Sequence, residues 1–264
     1  ERMRPIWESV TSKQVYKGKA NVWGGVKALT MKRNYLIDTS PLRYLCNTVL
    51  DGKDIQIPFH AGRVNIDSGE WISKESGSTD IAQDTLESAT IGGVMRMFTR
   101  GVDGGFRNNS PLSDVLEYAD DKTAIIVINC SPRNIKKTNE KRTSGIFNTA
   151  GRLLEIVLNE NLRNDVDGFI RLNTLAAGQT TQQIGKYKYY PMLLLEPEYP
   201  LAWGMLDFDN CQMGLNQGLS YATPKIDAFL NGEAKGRKIM LVLSGGGAKG
   251  SWQAGCIEAL YKFI

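Results

Sequence analysis

Histidine is almost absent from this chain: His60 is the only one in 264 residues. A Ser-His-Asp or Cys-His triad, a multi-histidine metal centre or a His-x-Glu deaminase site would each have to run through it. It follows Pro58 and Phe59 in an alternating, strand-like stretch, which reads as a structural or surface setting. Any hydrolytic chemistry here is therefore expected to work without histidine. Cysteine is also sparse. Cys46, Cys130, Cys211 and Cys256 stand far apart with no Cys-x-x-Cys pair, which excludes zinc sites of common spacing and a disulfide-dense scaffold. Cys46 and Cys130 sit among apolar residues and read as core positions, and the pattern favours a reducing, cytoplasmic compartment.

Long apolar runs are missing too. The longest, 239–243 and 192–195, are strand-sized and far below the roughly 20 residues that span a bilayer. Charge of one sign is scarce: 32 Lys+Arg against 28 Asp+Glu leaves a formal +4. Only 136–142 (KKTNEKR) gathers basic residues, in a polar stretch that reads as a solvated loop rather than a nucleic-acid patch. A membrane-facing role for that loop stays open. No signal peptide is expected, since Glu1 opens directly into a helix-like segment. At the other end, 254–264 reads as an amphipathic helix without a cap, so both ends look cut.

What is present is an ordinary globular composition, 42% hydrophobic and 23% charged, in a chain long enough for one sizeable core. Residues 4–10 read as helix, and 41–50 (PLRYLCNTVL) as a helix with Ser40 as N-cap. A hairpin is expected from 59–66 and 70–74 around Asp67-Ser68-Gly69. Helical spacing runs through 80–95, a glycine-rich loop through 99–110, and a helix through 111–118. Residues 124–130 (AIIVINC) form the β-branched run of a strand buried on both faces. Two helices are expected at 145–162 and 166–175, a strand at 189–195 and a helix at 209–223. A second apolar strand follows at 238–244 (KIMLVLS), after the best linker candidate, 231–237. Strands alternating with helices indicate an α/β sheet covered on both sides, with 239–243 central and beside or near 124–130.

Two segments carry chemistry. Ser244-Gly245-Gly246-Gly247-Ala248-Lys249-Gly250 lies between a strand and a helix, where successive glycines bare backbone N–H groups beside the positive end of a helix. That nest suits a phosphate or the oxyanion of a tetrahedral intermediate. Gly245, Gly247 and Gly250 also fit the dinucleotide fingerprint, which further requires an acidic residue about 20 positions on. Dinucleotide binding is therefore kept as an alternative. A Walker A loop is excluded, because Gly250 rather than Ser or Thr follows Lys249. The second segment is Asp103-Gly104-Gly105, leading to Asn109 and Pro111. An aspartate beside two glycines can sit at a loop tip with its carboxylate free to take a proton, with Asn109 locking the loop.

These segments resemble the patatin-like phospholipases, whose signature includes Gly-Gly-Gly-x-Lys/Arg-Gly after the first strand and Asp-Gly-Gly/Ala in a later loop. Ile6-Trp7-Glu8-Ser9-Val10 looks like the helix after that family's nucleophile, and Asp38-Thr39-Ser40-Pro41-Leu42 like a further family segment. Asp207-Phe208 with Gly218 and Ala222 is similar to its closing helix. The resemblance covers nearly the whole chain. It implies a three-layer α/β/α domain over residues 1–264 with a mostly parallel central sheet, and acyl hydrolysis of lipid esters by a Ser–Asp dyad. It implies Asp103 as the general base and Gly245, Gly246 and Gly247 as oxyanion donors, with Gly104, Gly105, Asn109, Lys249 and Gly250 completing the motifs. No metal or organic cofactor is implied, and no nucleic acid. The partner would be a lipid ester, with peripheral membrane contact. Asp103 and the three glycines would then open onto one pocket.

Two departures stand out. The order is permuted: 1–230 resemble the later part of the family domain and 238–264 its opening strand, loop and helix. The nucleophile is also missing. Glycine pairs at 101/105, 214/218, 232/236 and 246/250 have the Gly-x-Ser-x-Gly separation, but their middle residues are Asp103, Asn216, Ala234 and Ala248. A circular permutant without its elbow, a junction of tandem domains, and a reordered chain lacking the elbow segment all account for this. A partner-supplied nucleophile is a fourth account. The chain alone is expected to be inactive, and a catalytically dead module that binds lipid or protein is the runner-up reading.

Overall fold

A computed structural model of the protein describes residues 3–18, 25–26, 29–77, 79–135, 145–178, 183–184 and 187–264. The basic stretch 136–142 lies outside them. The chain divides into two compact units, one of Glu1–Ser9, Asn108–Lys136 and Leu158–Ile264, the other of Val10–Arg107 and Lys137–Val157. Its class is α/β.

The first unit is built on a three-stranded parallel sheet in the order Lys238–Leu243, Thr123–Ile128, Met192–Leu195. Thr123–Ile128 is buried at every position, as its unbroken apolar run requires of a strand covered on both faces. The expectation that 239–243 is central needs correction. It is the neighbour of 123–128 but lies at the edge of this sheet, with Lys238 and Leu243 exposed and Ile239, Met240 and Leu241 half-buried. An apolar run reports what covers a strand's faces, and says nothing about whether both of its hydrogen-bonding edges are paired.

On one face of this sheet, Leu162, Val166 and Phe169 of a long helix pack with Ile125, Val127, Val242, Leu112 and Tyr190. Elsewhere in the unit the helices Cys211–Asn231 and Gly250–Leu260 approach closely through small residues. A Cβ on Gly218 would stand 2.0 Å from the Trp252 carbonyl oxygen, and one on Gly255 2.1 Å from that of Leu215. Gly250–Leu260 is buried on nearly every side from Ser251 to Cys256, so it is a core helix rather than an amphipathic one. Helix Met3–Ser9 is fastened to it by the Arg4–Glu258 ion pair at 2.8 Å. The expected linker, 231–237, is an exposed turn in which Ala234 alone is buried, its N–H donating to the Phe229 carbonyl at 3.0 Å.

The second unit holds a three-stranded antiparallel sheet, ordered Trp71–Ile72, Arg63–Asn65, Gly101–Asp103. The hairpin at 67–69 forms as expected, with Gly69 at φ +70, although its strands are shorter than the alternation suggested. His60 forms an isolated antiparallel bridge with Glu75. Helices Ser40–Leu50 and Ile81–Ser88 pack through Cys46, Ala82 and Leu86. Ser40 is the first residue of its helix rather than the cap. Asp38 Oδ1 does the capping, accepting the Ser40 N–H at 3.0 Å and hydroxyl at 2.6 Å. Arg63 is buried and neutralised by Asp84 and Glu87, each at 2.9 Å, tying the sheet to helix Ile81–Ser88. The two helices expected at 145–162 and 166–175 are one, Ile146–Ala177. No described helix is long and apolar enough to cross a membrane.

Candidate active site

The glycine loop leaves strand Lys238–Leu243 and enters helix Gly250–Leu260 through a short 3-10 turn, Gly247–Lys249. Its base is tightly tied. Ser244 is buried, donates its N–H to Ile128 at 3.2 Å, and accepts the Cys130 N–H on its hydroxyl at 2.9 Å. The buried Gln253 amide donates to the carbonyls of both Ile128 (2.6 Å) and Ser244 (2.9 Å). Glycine is obligatory at positions 246 and 247. A Cβ on Gly246 would meet Cys130 Sγ at 2.4 Å. Gly247 has φ +56, and its Cβ would lie 2.4 Å from the Met205 carbonyl oxygen that accepts the Ala248 N–H.

The amides divide unequally. The Gly245 N–H donates to Asn109 Oδ1 at 3.0 Å, so it is already spoken for. Those of Gly246 and Gly247 have no partner among the described residues. Two adjacent donors at the positive end of an 11-residue helix form an anion-binding arrangement. Lys249 lies beside them, its Nζ 3.3 Å from Ser131 Oγ. Burial pushes the Cys130 thiol up to about 12, with Lys249 and Ser244 only easing it, so it stays a neutral packing group. Neither flanking serine is free to attack: Ser244 is bonded as above, and the fully buried Ser251 donates to the Ala248 carbonyl at 2.8 Å.

Asn109 is the hub of a buried polar network. Besides holding Gly245, it donates through Nδ2 to the Leu158 carbonyl at 3.0 Å. Its backbone N–H and that of Ser110 both reach Asp165 Oδ2, at 2.9 and 3.0 Å. Ser110 donates on to Asn129 Oδ1 at 3.1 Å. Burial raises the Asp165 carboxyl pKa despite these two amides. The sequence does not single out Asp165, because it falls in the short polar gap between the two expected helices and belongs to no motif.

In the second unit, Asp103 ends strand Gly101–Asp103 and caps the 3-10 turn Gly104–Phe106, so it is not the loop-tip residue expected. Its N–H donates to Thr90 at 2.8 Å, and its Oδ1 accepts the Gly105 N–H at 2.7 Å. Burial pushes its pKa up to about 6 and the Gly105 amide restrains the rise. Gly104 has no room for a side chain, since a Cβ would stand 2.5 Å from the Gly62 carbonyl oxygen and 2.7 Å from the Trp71 ring. The structure thus joins Asn109 to the glycine loop within one unit, while Asp103, Gly104 and Gly105 belong to the other. A polar cavity of about 270 Å³, lined by Asn134, Arg163, Asn164, Asp167, Gly168 and Arg171, includes none of these residues. Among the described residues no cluster of His, Cys, Asp or Glu could hold a metal ion.

No protein-family model matches the chain, and no curated protein matches it.

Proposed function

We propose that this chain carries the scaffold of a patatin-like lipid acyl hydrolase, a three-layer α/β/α domain whose nucleophile serine is not among its 264 residues. The supporting observation is the hydrogen bond from the Gly245 N–H to Asn109 Oδ1, which links the glycine loop to the tail of the Asp-Gly-Gly segment across 136 positions. In this reading a serine attacks the ester carbonyl of a phospholipid or acylglycerol while Asp103 takes its proton. A carboxylate with a pKa near 6 is ionised at neutral pH yet basic enough to accept that proton. The tetrahedral oxyanion rests on the Gly246 and Gly247 amides and collapses to expel the alcohol, which takes the proton back from Asp103. Water then hydrolyses the acyl-serine to a free fatty acid and the restored serine. The fold's other requirement is a place for the serine within hydrogen-bond reach of Asp103.

The test is hydrolysis of lipid esters by the intact gene product. Turnover should rise with pH through about 6 and fall at least a thousandfold in Asp103→Asn. Absence of both ester turnover and covalent labelling by a fluorophosphonate would sink the reading. A second reading, a non-catalytic lipid-binding module, is favoured by one observation: no glycine pair of elbow spacing encloses a serine. It predicts lipid binding without turnover.

A further inference from the structure

Three arginines separated in the sequence, Arg33, Arg43 and Arg96, meet in the second unit on two aromatic rings. The backbone arranges the meeting. The N–H groups of Leu36 and Ile37 donate to the Val94 carbonyl at 3.0 and 2.9 Å, and that of Arg96 donates to the Ile37 carbonyl at 3.0 Å. Segment 35–39 therefore runs beside 94–98, and Arg43 arrives from helix Ser40–Leu50. The guanidinium carbons of Arg43 and Arg96 lie 4.9 and 5.0 Å from the centre of the Phe98 ring. Those of Arg96 and Arg33 lie 5.9 and 5.5 Å from the centre of Tyr35. Cations and rings thus alternate as Arg43, Phe98, Arg96, Tyr35 and Arg33. Phe98 packs against Cys46, Ala82 and Leu86, which seats this ladder on the core. Among the described residues one carboxylate meets it: Asp38 Oδ1, 3.5 Å from Arg96 and already accepting the Ser40 N–H and hydroxyl. Arg33 and Arg43 are exposed and have no acidic partner among the described residues.

We infer that this ladder is a binding surface for single-stranded nucleic acid. Three guanidiniums against one carboxylate call for an anionic partner. The charges are strung along two rings, which suits phosphates in succession along a strand. Planar guanidiniums and aromatic rings also offer unpaired bases a surface to stack on. An acidic peptide has no bases to use that surface, and a duplex keeps its bases stacked inside. The resemblance implies no nucleic acid, and the sequence hides the ladder because no two of its arginines are neighbours. The inference is independent of the hydrolase reading, which uses none of these residues.

The experiment is fluorescence anisotropy of the 264-residue protein with labelled oligothymidylate and oligouridylate of about 15 nucleotides. Affinity should fall with salt at a log–log slope of about −2, as three phosphate contacts to a single strand require. Arg33→Gln with Arg43→Gln should weaken binding at least tenfold and bring the slope to about −0.7. The melting temperature should hold, because both side chains are exposed. Arg33→Lys with Arg43→Lys keeps the charge without the planar stack, and should lose at least threefold with the slope unchanged. Tighter binding of either oligonucleotide than of a duplex of the same length supports the inference, and the stronger of the two identifies the strand as DNA or RNA. Because binding is read without turnover, a failed hydrolase reading leaves this result untouched. No binding to either oligonucleotide, equal binding by parent and glutamine variant, or full retention by the lysine variant overturns the inference. So does polyglutamate bound as tightly as the oligonucleotides, which would assign the ladder to an acidic protein.

Discussion

The two glycine-bearing turns are built alike and use glycine for opposite ends. Each follows a strand and passes through a 3-10 turn: Lys238–Leu243 into Gly247–Lys249, and Gly101–Asp103 into Gly104–Phe106. In the first, missing side chains leave two backbone amides bare, and the loop keeps its shape because Asn109, Gln253 and the Met205 carbonyl hold it from outside. In the second, missing side chains let Gly62 and Trp71 press close, and the crowding takes water from the Asp103 carboxylate. One turn is prepared to receive negative charge, and the other to hold a carboxylate that accepts protons more readily than usual.

The sharpest way to break that comparison is to add single methyl groups. Gly104→Ala puts its Cβ against the Gly62 carbonyl, and Gly247→Ala combines φ +56 with the Met205 carbonyl. Each should cost about 3 kcal/mol in urea denaturation, since backbone has to move in both cases. A loss of under about 0.5 kcal/mol at either site would mean that its glycine is incidental there.

Asp103→Asn should act in the other direction. Folded Asp103 holds its proton to about pH 6 against an ordinary 3.8, so the folded state binds more protons in between and stability falls as pH rises across that window. Asparagine removes the desolvated charge and keeps an acceptor for the Gly105 N–H. The variant should be about 2–3 kcal/mol more stable at pH 7, with the gain gone below about pH 4. Denaturation curves that shift equally at all pH values would contradict the desolvation account.

Asn109→Ala should cost about 1–3 kcal/mol by orphaning the Gly245 N–H and the Leu158 carbonyl. Amide hydrogen exchange should then quicken at Gly245, and unchanged protection there would show that Asn109 does not hold the loop. Smallest of all, Lys249→Met should cost about 0.5 kcal/mol, because its long bond to Ser131 is only part-buried. A thermal melt should barely register it.

Much of the fold was legible because periodicity reports burial directly. The run at 124–130, the strand at 238–244, the helix at 41–50 and the turn at 67–69 all form near their expected places. Errors arose where a local pattern has two tertiary outcomes. The polar residues 163–165 separate two expected helices, yet the backbone runs through them because nothing there removes an N–H or demands a positive φ. Residues 99–110 read as loop from their glycines, while Gly101–Asp103 pairs with Arg63–Asn65. At the site, glycine spacing marked the anion nest, but not which of its amides stays open.

The residue types thus determined the class of the chain by themselves: an α/β fold with one histidine, paired glycine motifs, and no serine on an elbow. Those features follow from composition and spacing, which no packing can alter. Only the tertiary structure decided that Asn109 takes Gly245 and leaves Gly246 and Gly247, that Asp165 anchors Asn109, and that Asp103 is desolvated. Each of these depends on which groups distant in sequence arrive within about 3 Å, and hydrogen bonding and desolvation act only at that range.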